Sequence, residues 1–402
     1  MLRRIVQVGL FLITAGPLIG ASALPADKIL PNNHEVKYVI LMVPDGMNLS
    51  SVTAARIRLN GITGNPLYLE TLEHIGYQRT YSEKNTVTDS SAAASTWACG
   101  EKFVNNEVCF HIDGRPNNLS LLELAKARGM SAGLVATQTI THATPASFGA
   151  HVNAPLGVSP RSCETEIARQ YVTESQPDVL LGGGRSKFAP ASADACGAIG
   201  NFSDLAQSLG YTYVTTATEL AGAIESQPTK LLGLFAGGQL TPEYLRTPST
   251  TEPRLPEMTE AALSVLERNQ TGFFLMVEGS LIDSGNHSAN IDYLVGEMAA
   301  FDASVRVVLD WIAAKPDRME HALLMVLPDH ETGALAIHGT EKPGGEPFGY
   351  FWPAYTWRVP PEPETHHTGG DVVFWVQGPG SEVLAAPIEN AFVYHVIREL
   401  LR

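Results

Sequence analysis

Short, nearly continuous apolar runs recur along this chain, among them YVILMV, FFLMV and LLMVL. A strand covered on both faces, as in a parallel sheet, reads as an unbroken apolar stretch, without alternation. The segments Tyr38 to Val43, Ser131 to Ala136, Asp178 to Leu181, Lys230 to Phe235, Phe273 to Val277, Ala322 to Leu327 and Val372 to Val376 therefore read as strands. Between them lie helical patterns: SSAAASTWA, LSLLELAKARG, CETEIARQYV, LPEMTEAALSVLERN and EMAAFDASVRVVLDWIAA. The carboxyl end, AFVYHVIRELLR, has an amphipathic helical spacing. Strands that alternate with helices predict parallel sheet pairing with crossover helices. The expected fold class is α/β, a three-layer α/β/α sandwich around a large, mostly parallel central sheet, with residues 37–402 as one catalytic domain. The long irregular segment from Lys342 to Pro363 is expected to shape the rim of a site.

The residues that follow three of these runs change the picture from fold to chemistry. YVILMV runs into Pro44-Asp45, FFLMV into Glu278, and LLMVL into Pro328-Asp329-His330. In open α/β sheets the binding crevice lies outside the carboxyl ends of the strands, so these residues are expected to meet. Carboxylates gathered in one crevice repel and require cations. EGSLIDSGNH adds Asp283 and His287 at i and i+4, one face of a helix, and THHTGG adds His366 and His367. Alone, the Asp283–His287 pair reads as a solvated helical pair, and His330 as a loop histidine. Together, hard carboxylate oxygens and imidazole nitrogens suit zinc, with magnesium where oxygen donors dominate.

TVTDSSAAASTWACG sets Thr88, Asp89, Ser90 and Ser91 ahead of an alanine-rich helix. The default role of such residues is capping. A hydroxyl at a helix amino terminus also sits beside free N–H groups and the positive dipole end, which favour phosphate. Ligated by a metal, such a serine could lose its proton and attack phosphorus.

The amino terminus carries Arg3 and Arg4, a broken apolar stretch and small residues at Ala21 and Ala23, the layout of a signal peptide over residues 1–23 followed by a linker over 24–36. An uncleaved anchor is the alternative reading. Removing residues 1–23 takes away two positive charges and turns the net charge from −15 to −17. Nucleic acid and anionic membrane surfaces are poor partners for such a chain. Export permits disulfides, and Cys99 with Cys109 and Cys163 with Cys196 are the expected pairs, although four cysteines allow three connectivities.

VILMVPDGM, TDSSAAASTWACG, THATPASFGAHV, VEGSLIDSGNH, PDHETG and HHTGGDVVFWVQGPG occur in this order. In that order they resemble the ligand and nucleophile motifs of the alkaline phosphatase family, from about Lys37 to the carboxyl terminus. The resemblance implies one zinc on Asp283, His287 and His367, a second on Asp45, Asp329 and His330, and a third ion, magnesium with zinc as the alternative, on Asp45, Thr144 and Glu278, with His142 beside it. It implies Ser90 as nucleophile, selected over Ser91 by counting back from Trp97 and Gly100, and it selects His367 over His366. Four carboxylates, Asp45, Glu278, Asp283 and Asp329, against three divalent ions leave a positive site for a phosphate dianion. The implied protein is a secreted or periplasmic homodimer that hydrolyses phosphate monoesters through a phosphoserine.

Pro44, Pro328, HETGA and Asn286 are minor departures from the family pattern, and two further ones bear on the site. The phosphate-binding arginine that the family carries soon after AHV is replaced by Pro155 in the ungapped register, and matching SPRSCETEIA assigns the role to Arg161 after an insertion. His142 stands where many bacterial relatives carry aspartate. The competing functions are a phosphodiesterase or nucleotide pyrophosphatase of the same superfamily, which commonly uses threonine as nucleophile, and a metal- or phosphate-binding homologue without turnover.

Overall fold

The computed structural model describes residues 35–339, 347–354 and 365–401. The expected signal peptide, nearly all of the linker and most of the segment from Lys342 to Pro363 lie outside the described residues. Ten strands form one sheet in the order β14 (Pro387–Glu389), β2 (His74–Arg79), β13 (Val372–Gln377), β8 (Ala322–Val326), β1 (Tyr38–Val43), β7 (Phe273–Glu278), β3 (Ser131–Thr139), β4 (Val179–Gly183), β6 (Leu231–Leu234) and β5 (Thr212–Val214). Every pairing is parallel except those of β13 with β8 and β2. Two short antiparallel ribbons, β9 (Glu331–Thr332) with β12 (His367–Thr368) and β10 (Ala336–His338) with β11 (Gly349–Phe351), lie outside this sheet.

Each expected strand is present. Their apolar composition follows from their position, because β1, β7, β3 and β8 are covered on both faces and their residues are almost all fully buried. Val39, Leu41 and Val43 of β1 face one core, and Ile40 and Met42 face another. The first core also takes residues of the helices Ser90–Cys99, Leu121–Ala127, Glu164–Gln170 and Ala391–Leu400, and the second those of Leu49–Asn60, Leu255–Leu266 and Ile291–Ala313. That division is the three-layer arrangement. In register, Tyr38 pairs with Phe273 and Ala322, and Ser131 pairs with Phe273, so the central strands start level and end on one edge.

Both expected disulfides form, Cys99–Cys109 and Cys163–Cys196. With sequence separations of 10 and 33, loop-closure entropy assigns them about 3 and about 4 kcal/mol. Among the described residues no helix is long and apolar enough to cross a membrane.

Candidate active site

The carboxyl edge of the four central strands delivers the first donors. Asp45 follows β1, Glu278 ends β7, and Asp329 and His330 follow β8; all four are buried. Gly46, at φ +67, makes room for a second row: a Cβ there would lie 2.5 Å from Asp283 Oδ1 and 2.8 Å from Thr332 Oγ1. The Gly46 N–H donates to Asp329 Oδ1 at 3.0 Å and fixes that carboxylate. Asp283 and His287 share one face of the short helix Leu281–His287, with His287 Nε2 3.2 Å from Asp283 Oδ2. Pairing of His367 with Thr332 across the β9–β12 ribbon stacks the His367 ring on His330, with centroids 3.6 Å apart.

Hydrogen bonds orient the two imidazoles. His287 Nδ1 donates to the Thr365 carbonyl at 2.6 Å, and His367 Nδ1 donates to the Thr88 carbonyl at 3.0 Å. Both Nε2 atoms then point into the crevice, 3.2 Å from each other, with His287 Nε2 also 3.2 Å and His367 Nε2 3.8 Å from the Asp283 carboxylate. Two lone pairs at that distance repel unless a cation or proton lies between them, which is the arrangement by which metal-ligating histidines are held. Donor atoms of Asp283, His330 and His367 lie within 4.8 Å of one another, as do those of Asp45, Asp329 and His330. His330 is common to both sets, and His287 adjoins the first through Asp283 and His367.

The donor sets are also unsatisfied from within. Asp45 Oδ1, Asp329 Oδ2, Glu278 Oε1, Thr144 Oγ1 and His142 Nδ1 are all buried without a hydrogen-bond partner. Orphans of this kind are rare in folded proteins, and so many together fit a cation site. The titration behaviour agrees. Burial, then the charges of Asp329, Asp283 and Glu278, hold the Asp45 carboxyl well above its usual range. Burial pushes Glu278 up to about 7, with the Ser280 hydroxyl working against it. Burial opposes the charge of Asp283 too, yet the hydrogen bond from His287 and the neighbouring imidazoles win and hold it low. His330 is pushed up despite burial because Asp329 lies against it, and burial, then His330, push His367 down to about 4. The residues present fit divalent cations.

Ser90 is the first residue of the helix Ser90–Cys99, capped by Asp89, whose carboxylate accepts from the Ala92 N–H at 3.0 Å. The capping and functional readings of this segment are therefore compatible. Ser90 Oγ lies 3.2 Å from His330 Nε2, at the metal edge, whereas Ser91 Oγ turns back to Asp89 Oδ2 at 3.0 Å. Arg161, on the turn Pro160–Ser162, reaches the same place: its Nη1 donates to Asp89 Oδ2 at 2.9 Å and its Nη2 lies 3.3 Å from His142 Nε2. The insertion before Arg161 does not keep it from the crevice. His142 precedes the helix Ala143–Gly149 that carries Thr144; burial, then Arg161, push its pKa down to about 4, so it is neutral near pH 7.

A cleft of about 540 Å³ opens beside these residues, bounded by Asn85, Thr88, Asp89, Asn105, His366 and His367 among others. Two residues have supporting roles that the sequence reading did not assign. Thr332 donates to Asp283 Oδ1 at 2.5 Å, and Asn286 ties the Gly46 carbonyl (3.1 Å) to the Trp352 indole N–H (3.0 Å). Asn286 stands in the DSGNH motif, but nothing in the sequence indicates its partners.

A family model for alkaline phosphatase matches residues 36–350. Alkaline phosphatase 3 of Bacillus subtilis is 35% identical over 334 residues, 81% of this chain and 67% of that protein. Among solved structures, the cold-active alkaline phosphatase of a psychrophilic Shewanella superposes with a TM-score of 0.75 at 27% identity, covering 91% of this chain and all of that one. A TAB5 alkaline phosphatase variant with aspartate in place of a histidine, described with Mg bound in its M3 site, gives 0.75 at 26% identity over 92% of this chain and 98% of that one. The chain belongs to the alkaline phosphatase family of phosphoric monoester hydrolases.

Proposed function

We propose that this chain is an exported phosphomonoesterase that works through a phosphoserine at Ser90 in a centre of three divalent cations. The observation that carries this reading is Ser90 Oγ at 3.2 Å from His330 Nε2, where the two acid–histidine sets share that histidine. On this reading Asp283, His287 and His367 hold one zinc, Asp45, Asp329 and His330 a second, and Asp45, Thr144 and Glu278 a magnesium. When bound, such ions act as Lewis acids on the phosphoryl oxygens and lower the pKa of oxygens that ligate them.

The chain's own residues do the rest. The free N–H groups at the start of the helix Ser90–Cys99 and its positive dipole end favour the phosphate dianion. Asp89 and His142 hold the Arg161 guanidinium from two sides, so its planar fork meets phosphate oxygens already oriented. Ser90 gives up its hydroxyl proton and its Oγ forms the bond to phosphorus as the bond to the alcohol oxygen breaks on the opposite side; that oxygen leaves with the electron pair and takes up a proton from solvent. Water then displaces the phosphoryl group from Ser90 and regenerates the hydroxyl. His142 decides the third ion: outer-sphere hydrogen bonding keeps magnesium, direct ligation favours zinc, and metal analysis after dialysis against both ions reports which.

The proposed substrates are small phosphate monoesters of broad range, and the proposed state is a homodimer in the periplasm or the medium. The test is phosphate release by protein reconstituted with zinc and magnesium, from an aryl monoester and from the matching diester. Strong monoester preference, abolished by chelator, is expected; preference for the diester moves the chain to the phosphodiesterase branch of the superfamily.

A further inference from the structure

Glu164 opens the helix Glu164–Gln170, directly after the turn that carries Arg161 and beside Cys163 of the Cys163–Cys196 disulfide. An acidic residue there would ordinarily serve its own helix dipole. Its carboxylate instead spans to two other segments. The hydroxyls of Thr139, at the end of β3, and Thr141 both donate to Glu164 Oε2, at 2.6 and 2.8 Å. Lys187, on the helix Arg185–Phe188 that follows β4, places Nζ 2.8 Å from Oε1. The side chain is 16% exposed. Burial works against its charge, but Lys187 and the two threonines outweigh burial and keep it ionised below the usual range.

The consequence is mechanical. Arg161 is held at its tip by Asp89 and His142, while the backbone it springs from is tied down by the disulfide and by Glu164. Thr141 immediately precedes His142, and Thr144 follows two residues later. One carboxylate thus joins the turn bearing the phosphate-binding arginine to the segment that runs into His142 and Thr144 beside the third-ion site. Resting on the phosphatase reading above, we infer that Glu164 is a positioning residue for the phosphate site, acting through Arg161 and through the Thr139–Thr144 loop without touching substrate.

The test is a double-mutant cycle read as binding of inorganic phosphate to the zinc- and magnesium-loaded protein. Calorimetry gives the affinity independently of turnover, and the inhibition constant against an aryl monoester gives it a second time. Glu164→Ala is expected to weaken phosphate about tenfold, the usual scale for supporting residues of this kind, with kcat changed much less. Glu164→Gln, which keeps the acceptor for both threonines but loses the charge toward Lys187, is expected to fall between Glu164→Ala and the parent. In an Arg161→Ala background the further loss from Glu164→Ala is expected to shrink to the smaller part that runs through the Thr139–Thr144 segment, because the part that runs through Arg161 is already gone. Parent-like phosphate affinity in Glu164→Ala overturns the inference. So does an equal loss in both backgrounds, which marks a purely structural role. Failure of the phosphatase reading looks different, since it leaves monoester turnover absent in the parent or unaffected by Ser90→Ala, while calorimetry still reports on Glu164.

Discussion

Two clusters of the same donor types, carboxylates around a buried histidine, sit in this molecule and differ in what neutralises them. One is Asp45, Asp329 and His330; the other is Glu83, Glu107 and His111. In the second, the Arg115 guanidinium donates to Glu83 Oε2 at 2.6 Å and lies 3.2 Å from His111 Nδ1. Both Glu107 oxygens accept backbone N–H groups, from Val104 and Ile112, and His111 Nε2 has Glu101 3.4 Å away. The chain supplies its own cation there. In the first cluster the nearby arginine, Arg161, is turned to Asp89, and Asp45 Oδ1 and Asp329 Oδ2 face one shared imidazole nitrogen, His330 Nε2, at 3.7 and 3.0 Å, with no guanidinium or backbone N–H on either oxygen among the described residues. Residue composition does not separate a metal centre from an ion-pair network; unmet coordination does.

The largest effects should come from breaking the first cluster's chemistry. Ser90→Ala is expected to cut kcat for an aryl monoester by at least about a thousandfold while zinc content stays that of the parent, since in the proposed mechanism the lost atom forms the bond to phosphorus. Loss of zinc together with activity would instead place Ser90 in a structural role. Chelation should abolish activity and alter the pH dependence of stability. Without cations, Asp45 lies well above its usual range and Glu278 near 7. A carboxyl group raised in the folded state contributes stability below its unfolded pKa, and that contribution is lost as pH rises through the folded value. The melting temperature of chelated protein should therefore fall between about pH 4.5 and pH 8, and that of loaded protein should not follow it. Parallel curves would count against cation binding at these carboxylates.

A smaller effect is expected at Glu297, 4% exposed, which burial pushes up to about 7. Its one acceptor bond comes from the Glu243 N–H at 2.7 Å. The sign is the same: above pH 7 the folded state carries a buried charge that the unfolded state does not penalise. Glu297→Gln keeps the acceptor and removes the charge, so at pH 9 it should stabilise by on the order of 3 kcal/mol, shrinking toward zero near pH 4.5. Thermal melts across that range check it, and a pH-independent change would show that the charge is not the cause.

The comparison also explains what could be read from the sequence. The central strands were legible because strands buried on both faces admit only apolar residues, and the meeting of Asp45, Glu278, Asp329 and His330 was legible because parallel strands bring their carboxyl ends to one edge. β2 was not, because its pattern is inverted: Ile75 and Tyr77 are exposed while Gln78 is fully buried, bonded to the Trp97 indole N–H at 3.0 Å and to the Pro328 carbonyl. Arg161 could be named only by matching motifs across an insertion, and its placement depends on Asp89, 72 positions away in sequence. Glu164, Thr332 and Asn286 act through contacts that no local spacing encodes. Nearby acidic residues alone do not distinguish His111 from His330; the place of His330 after a strand and the order of the motifs single it out, and the folded chain adds that Arg115 accompanies His111.

That difference can be reversed by a single substitution with a small expected cost. Arg115 is 43% exposed in its side chain, so its ion pairs are screened and Arg115→Ala should destabilise by no more than about 1 kcal/mol. Activity should match the parent, because Arg115 has no place in the crevice. The informative readout is metal content. With the guanidinium gone, Glu83, Glu107 and His111 keep donor atoms within 4.8 Å of one another and lose their internal cation, so the variant should take up about one further zinc per chain at moderate zinc concentration. Adding His111→Ala should return the stoichiometry to that of the parent. If Arg115→Ala binds no extra zinc, an uncompensated acid–histidine cluster is not sufficient for binding, and the prearranged lone pairs of His287 and His367, each fixed by a backbone carbonyl, become the feature that sets the metal centre apart.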